Sequence, residues 1–221
     1  MYRFCLYIVV FLVVLFVQAQ NTELRLARLQ YYGGGDWYVG PTSLTNLAVY
    51  CNEKINTNLA TTEDVVEVGS VELFNYPFIY MTGHGNVDFS KMEANNLRRY
   101  LISGGFLFVN DSYGMDEFIR NAMKQVFPEH DFVEIPYTHK IYNKTYDFSD
   151  GLPKIHEHDN KPPQGFGLIY KGRLVCFYNY ECDLGDGWEN AEVHNDPEEL
   201  RIKALKMGAN IIEYVFNDSG Y

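Results

Sequence analysis

Short apolar runs of strand character alternate with amphipathic helical segments along this chain, and this alternation restricts the fold more than any other feature. Residues 78–81 (FIYM) and 106–109 (FLFV) are almost entirely apolar, as is typical of strands that are buried on both faces of a parallel sheet. A helical apolar stripe, with Ala94, Leu97 and Leu101, separates the two runs. The pattern predicts a flavodoxin-like, doubly wound α/β sheet that is mostly parallel and has helices on both faces.

The remaining segments fit the same architecture. The predicted strands lie at 24–32, 65–68, 78–81, 106–109 and 132–136, and a hairpin at 166–180 turns around Lys171–Gly172. The predicted helices lie at 43–55, capped by Thr42 or Ser43, and at 116–127. A further helix begins with a Ser90–Glu93 capping box, and the last helix is capped by Asp196. The hairpin is expected to form an antiparallel edge of the sheet. Residues 137–166 lack a sustained period and predict a long surface excursion.

The amino terminus has the composition of a secretory signal peptide. One cation, Arg3, precedes an apolar run at 5–17, which is short for a membrane span and suits the central region of a signal sequence. Small residues near Ala19 predict cleavage after that residue, with an uncleaved membrane anchor as the alternative. No Pro-, Gly- or Ser-rich linker divides the rest, so residues 20–221 are interpreted as one α/β domain.

The charge balance excludes a nucleic-acid-binding function. Removal of the signal segment takes away Arg3 and leaves 17 basic against 29 acidic residues, a net charge of about −12. Nucleic-acid binding depends on the neutralisation of phosphates by cations. The same balance disfavours an anionic membrane surface, whereas the hydrophobic fraction of 47% is ample for a packed core.

Three cysteines follow the signal segment: Cys51, Cys176 and Cys182. An odd number cannot form a complete disulfide framework, although two of them can pair in an oxidising compartment. Cys176 lies in an apolar run and is expected to pack in the core.

Three predicted strands end in unusual polar turns: 33–38 (GGGDWY), 82–86 (TGHGN) and 110–114 (NDSYG). The carboxyl ends of strands in a doubly wound sheet gather at one edge, where ligands bind. His84, between Gly83 and Gly85, is the best single candidate there for an acid, a base or a ligand. The alternative is a solvated histidine in a glycine turn.

Asp111 and Ser112 occupy the turn after the strand at 106–109. Ser112 has a glycine two residues later, as in a nucleophile elbow, but the preceding glycine of that pattern is missing. Both side chains can instead cap the helix or hold the turn.

Two further segments contain aspartates or histidines, which are residue types that bind metal ions. Asp183 and Asp186 alternate with Gly185 and Gly187 in the segment 178–189, but the remaining ligands of a calcium loop are absent. Trp188 offers either a ligand platform or cover for the core. His156 and His158 lie two residues apart without a third ligand at a supportive spacing, which favours a solvated loop. The sequence therefore predicts no metal site and indicates no particular cofactor.

The segments 26–47, 78–85, 97–114, 127–148 and 178–189 together resemble the domain-of-unknown-function family 4159 over nearly the whole mature chain. The matching positions are Gly34, Gly35, Asp36, Trp37, His84, Gly85, Asp111, Gly114, His139, Tyr146, Asp183, Gly185, Asp186 and Trp188. The resemblance implies an exported or membrane-associated bacterial protein with a fold similar to class I glutamine amidotransferases. The family usually has an Asp pair at the turn after the fourth strand, and here Asn110 takes the place of the first. Glutaminase activity is rejected because that turn lacks a cysteine.

Three functions compete on these grounds. The first is a module that binds a small polar ligand, such as a glycan or a cell-envelope fragment, at the rim of the sheet. Its aromatic platforms would be Trp37, Tyr113 and Trp188, and its polar groups Asp36, His84, Asn110 and Asp111. The second is a hydrolase at the same rim that uses Asp111 as nucleophile or base and His84 as acid. The third is a scaffold of an envelope assembly whose acidic surface attracts protein partners.

Overall fold

The structure is a computed structural model that describes residues 23–218 of the chain. The predicted signal segment, residues 1–19, and the cleavage position after Ala19 lie outside the described residues. Within residues 23–218, no helix is both long enough and apolar enough to cross a membrane.

Seven strands of the described chain form one mixed sheet. They are β1 (Ala27–Gln30), β2 (Asp64–Glu67), β3 (Phe78–Gly83), β4 (Phe106–Asp111), β5 (Val133–Glu134), β6 (Gln164–Tyr170) and β7 (Arg173–Tyr180). Their order across the sheet is β2-β1-β3-β4-β7-β6-β5. The first five in this order run parallel to one another, and β6 and β5 continue the sheet as antiparallel partners. The predicted mostly parallel sheet with an antiparallel edge is confirmed.

The hairpin turns at Lys171 and Gly172 as predicted, but its two strands have different environments. β7 pairs in parallel with β4, with Phe108 opposite Phe177. Of the two hairpin strands, therefore, only β6 belongs to the antiparallel edge. Residues of β7 between its two ends are all buried, which is typical of a strand inside a sheet that is covered on both faces. The outermost strand is β5, a two-residue remnant of the strand predicted at 132–136.

Helices cover both faces of this sheet, as the alternating pattern predicts. The helices of the described chain are α1 (Ser43–Ile55), α2 (Lys91–Ile102), α3 (Asp116–Val126), α4 (Leu184–Trp188), α5 (Ala191–His194) and α6 (Glu198–Asp218). Two short 3-10 helices lie at Val71–Asn75 and Lys140–Tyr142. The core between α1, α4, α6 and the sheet contains the phenylalanines of β3 and β4, and a second core lies under α2 and α3.

Helix caps show where local and tertiary interactions compete. The capping box of α2 is confirmed: the Glu93 N–H donates to Ser90 Oγ over 3.3 Å, and the Ser90 N–H donates to Glu93 Oε2 over 2.8 Å. The predicted cap of α1 is wrong, because neither hydroxyl at its start caps the helix. Thr42 donates to Glu189, and Ser43 donates to the Gly185 carbonyl. Both hydroxyls therefore join α1 to the α4 segment.

Cys51, Cys176 and Cys182 are buried free thiols. Burial raises the pKa of Cys51 to about 12 and raises the pKa of the other two thiols well above the ordinary value. Because the thiolate is the reactive form, we expect a thiol reagent to label all three far more slowly in native protein than in urea-unfolded protein. Mass spectrometry of labelled peptides measures the two rates. Rapid native labelling at any of the three positions would contradict this burial.

Candidate functional site

The parallel strands place their carboxyl ends at one edge of the sheet, here called the rim. The rim consists of the segments that follow β1, β3, β4 and β7, and of residues 152–163, which precede the antiparallel β6. In the sheet, β1 lies between β2 and β3, so the chain adds β2 on one side of β1 and then adds β3 on its other side. The topological switch point, where ligands of such sheets bind, therefore lies between β1 and β3.

The loops after β1 and β3 are joined by backbone hydrogen bonds. The Gly35 N–H donates to the Asn86 carbonyl, and the Asp88 N–H donates to the Tyr32 carbonyl, both over 2.9 Å. A Cβ at Gly35 would lie 2.6 Å from the Asn86 oxygen, so a glycine is required for this close approach. Gly34, in contrast, has φ of 95° and open space around its missing Cβ.

The loop after β3 repeats this division between a packed and an open glycine. A Cβ at Gly83 would lie 2.3 Å from the Tyr31 hydroxyl, whereas a Cβ at Gly85 would meet nothing within 4 Å. Backbone at the switch point is therefore accessible at Gly34 and Gly85, one residue in each loop, while the other glycines serve loop packing.

Asp36 and His84 meet at the switch point. The His84 N–H donates to Asp36 Oδ1 over 2.5 Å, and His84 Nδ1 lies 3.0 Å from Asp36 Oδ2. Burial raises the pKa of Asp36, but the hydrogen bonds from the His84 backbone and ring outweigh it, so the pKa lies below its ordinary value. The stability from this pair is thus present above the ordinary aspartate pKa and is lost as the pH falls. The His84 side chain is 52% exposed, and the described residues give Nε2 no hydrogen-bond partner.

Arg28 holds the loop that carries Asp36. Arg28 is a charged residue of β1, yet only 1% of it is exposed. Its guanidinium donates to the carbonyls of Trp37, Val39 and Gly40, and it binds both oxygens of Glu63 at 3.0 and 3.2 Å. The sequence pattern missed this residue because β1 is covered on both faces, so an arginine on it can only be buried.

Asp111 holds the turn after β4. Its Oδ1 accepts the N–H groups of Tyr113 and Met115 over 3.0 and 3.1 Å, and its Oδ2 accepts the Tyr178 hydroxyl over 2.9 Å. Burial raises the pKa of Asp111, while these hydrogen bonds oppose the rise. The geometry favours the alternative in which Asp111 stabilises the turn. A nucleophilic role would require the carboxylate to leave these donors.

Tyr113 is the exposed aromatic residue of that turn. It is not a glycine, yet its φ is 130°, and strained backbone of this kind clusters at functional sites. The side chain is one of the exposed aromatic groups of the chain, with 49% of the residue accessible. Its ring lies 5.0 Å from the His158 ring, and its hydroxyl donates to Asp159. The turn after β4 thus contacts the loop before β6.

Asn110 lies beneath the rim and joins β4 to the segment after β7. Its Nδ2 donates to Asp183 Oδ1 over 3.0 Å and lies within 3.3 Å of the hydroxyls of Thr82 and Ser112. Its Oδ1 accepts the Gly185 N–H over 2.9 Å. Asn110 is fully buried, and Asp183 is only 1% exposed. An amide fits this position because it donates to a buried carboxylate, where a second carboxylate would repel it.

Three residues from separate segments meet next to Asp183: His156 from the loop before β6, Asp186 from α4, and His194 from α5. His156 Nδ1 lies 3.0 Å from Asp186 Oδ2, and His194 Nε2 lies 3.4 Å from the same oxygen. Glu189 Oε2 lies 3.0 Å from His194 Nε2. Two imidazoles and a carboxylate are ligand types that hold transition metals. His194 was missed because nothing in the sequence links it to a histidine 38 positions earlier.

The prediction that His156 and His158 are solvated is wrong. Their side chains are 29% and 9% exposed, and His158 Nε2 lies 3.6 Å from Asp183 Oδ2. Hydrogen bonds with Asp183 and Asp186 raise the pKa of His156 to about 11. Burial raises the pKa of Asp183, but its hydrogen bonds, chiefly those with His156 and His158, together have the larger effect. The pKa of Asp183 therefore lies below its ordinary value. Either a proton on His156 or a metal ion can balance these carboxylates.

Two predicted site residues do not contribute a surface at the rim. Trp188 is fully buried and its indole N–H donates to the Ala204 carbonyl over 2.8 Å, so it covers the core, and its interpretation as a ligand platform is wrong. His139 packs on Tyr214, close to the end of α6 that lies away from the rim. Its Nδ1 accepts the Ile141 N–H and caps a short 3-10 helix.

Two cavities of about 450 Å³ each lie away from the switch point and from the paired ionisable groups of the rim. One is lined by residues 54–59 and 212–217, and the other by residues 146–153 with Lys203 and Lys206. We place the candidate site at the rim, because paired ionisable groups with shifted pKa values converge there.

A comparison with protein families matches residues 25–216 to a domain of unknown function, DUF4159. The chain belongs to the DUF4159 family. The match includes all the described residues of the rim, so the Asp36–His84 pair and the His156–Asp186–His194 cluster both lie within this DUF4159 domain. A comparison with curated proteins finds none that matches the chain.

Proposed function

We propose that this DUF4159 protein is exported and binds a small polar ligand, such as a glycan or another cell-envelope fragment, at the rim of its sheet. The Asp36–His84 pair at the switch point carries this proposal. Asp36 fixes the ring of His84 through Nδ1, which leaves the exposed Nε2 to bind a ligand. Fixed, half-exposed polar groups of this kind orient ligands in binding sites.

Exposed aromatic side chains of the rim support a sugar-like ligand. Tyr32, Tyr38 and Tyr113 are 56%, 62% and 49% exposed, and all three lie in rim segments. Aromatic rings next to polar groups offer an apolar platform together with hydrogen bonds. The open backbone at Gly34 and Gly85 gives such a ligand access to the peptide groups.

A thermal-shift screen tests the proposal. We expect a sugar or envelope fragment to raise the melting temperature of the protein, because a ligand that binds only the native state stabilises it in proportion to occupancy. His84→Ala is expected to weaken the apparent affinity about tenfold or more, which corresponds to loss of about 1.4 kcal/mol. His130→Ala is the matched control, since His130 is 35% exposed and follows α3 at the opposite edge of the sheet. Equal shifts in the parent and His84→Ala would contradict the site.

A hydrolase at the same rim is the second candidate, favoured by the Asp–His geometry itself. A carboxylate on Nδ1 sets the tautomer that makes Nε2 a general base. The structure offers Asp36 for this orienting role, in place of the predicted use of Asp111. If a ligand from the screen is hydrolysed, we expect Asp36→Asn to lower kcat about 100-fold or more while folding is retained. Unchanged turnover in Asp36→Asn would contradict the use of the Asp36–His84 pair in hydrolysis.

A further inference from the structure

We propose that His156, Asp186 and His194 bind a divalent transition-metal ion such as Zn²⁺. The site was not predicted from the sequence, and it does not depend on a ligand at Asp36 and His84. It lies at the other part of the rim, where α4 and α5 follow β7.

The distances among the donor atoms fit one shared ion. One donor atom from each residue lies within 4.8 Å of the others, and Asp186 Oδ2 lies 3.0 and 3.4 Å from the two imidazole nitrogens. Zinc bonds to nitrogen and oxygen are about 2.0–2.2 Å long, so two ligands in a tetrahedral site lie roughly 3.3 Å apart. Small movements of partly exposed side chains are therefore enough to bring the three donors to bonding distance.

The surrounding carboxylates provide the support that metal-binding histidines require. Asp196 Oδ1 lies 3.1 Å from His156 Nε2, the arrangement in which a carboxylate orients an imidazole and increases its basicity. Asp196 was predicted to cap α6, but this contact directs it to the cluster. Its other oxygen, Oδ2, is buried and has no hydrogen-bond partner within the described residues.

The fourth coordination position is open to water or to Glu189. Glu189 Oε2 lies 3.0 Å from His194 Nε2, its side chain is 4% exposed, and Thr42 donates to its other oxygen. Two imidazoles distinguish the cluster from a calcium or magnesium site, since those ions prefer oxygen ligands alone. Three protein ligands with an open fourth position are also the pattern of catalytic zinc sites.

Competition for zinc with a chromophoric chelator tests the site. Protein without a histidine tag, stripped with EDTA, is titrated with ZnCl₂, and we expect one Zn²⁺ per chain. His194→Gln and Asp186→Asn are expected to bind zinc at least tenfold more weakly, and Asp196→Asn about tenfold more weakly with the same stoichiometry. His130→Gln is expected to match the parent. MgCl₂ and CaCl₂ at the same concentration are expected not to compete.

Circular dichroism confirms that each variant is folded before its affinity is compared. X-ray absorption of the zinc-loaded parent provides a measurement that does not depend on any variant, and two imidazole ligands are expected. Absence of stoichiometric binding, an unchanged affinity in His194→Gln, or a spectrum without imidazole ligands would each overturn the proposal. Loss of zinc binding would leave the His84-dependent ligand response intact, so the two proposals can fail separately.

Discussion

Replacement of Arg28 with methionine is expected to lower the free energy of unfolding by about 3–5 kcal/mol. The guanidinium is buried and satisfies the carbonyls of Trp37, Val39 and Gly40 as well as the carboxylate of Glu63. Methionine has a similar shape but no donor, so it leaves three carbonyls without a partner and a carboxylate without its counter-charge. Urea unfolding measures the loss, and the melting temperature should fall by roughly 6–20 °C.

Arg25→Met is the matched control for this prediction. Arg25 lies three residues earlier, is 51% exposed, and forms an ion pair with Asp64 at 2.9 Å. Exposed pairs of this kind contribute about 1 kcal/mol or less. Glu63→Gln in the Arg28→Met background should recover the part of the loss that is due to the unpaired carboxylate. Similar losses in Arg25→Met and Arg28→Met would contradict the role of Arg28 as the support of the switch-point loop.

Asn110→Asp is expected to cost about 3–5 kcal/mol at pH 7, because it places a second carboxylate next to a buried one. The Asn110 amide nitrogen now lies 3.0 Å from Asp183 Oδ1, and both residues are buried. Two carboxylates at such a distance cannot both ionise, so the pKa of the new carboxyl group must rise above its unfolded value. The folded state then binds more protons than the unfolded state, and the loss should grow as the pH rises.

Urea unfolding of the parent and the variant at pH 5 and pH 8 measures this dependence. Asn121→Asp introduces the same charge at an exposed position of α3 and is expected to change stability by less than about 0.5 kcal/mol. Asn110→Ala removes the hydrogen bonds without adding a charge. If Asn110→Asp and Asn110→Ala lose the same stability at both pH values, the charge is not the cause and the pairing with Asp183 is misjudged.

The sequence by itself determined the α/β architecture and the location of the rim. Apolar runs such as 106–109 and the amphipathic helix at 43–55 are local signals, because burial on both faces and burial on one face produce different periods. The capping box at Ser90 is local in the same sense. The glycine-rich turns also indicated the segments after β1 and β3 as parts of a candidate site. The prediction that these segments converge follows from the parallel direction of the strands alone.

Only the tertiary structure decided which side chains meet at that rim. Arg28 is buried because the loop after β1 covers it and offers the carbonyls of Trp37, Val39 and Gly40 to its guanidinium. His156 and His194 are brought together by three segments whose relative positions depend on the whole sheet. Such contacts join residues far apart in the chain, so spacing carries no signal for them. The physical reason is that periodicity reports how one segment is buried, whereas a site depends on how several buried segments pack against one another.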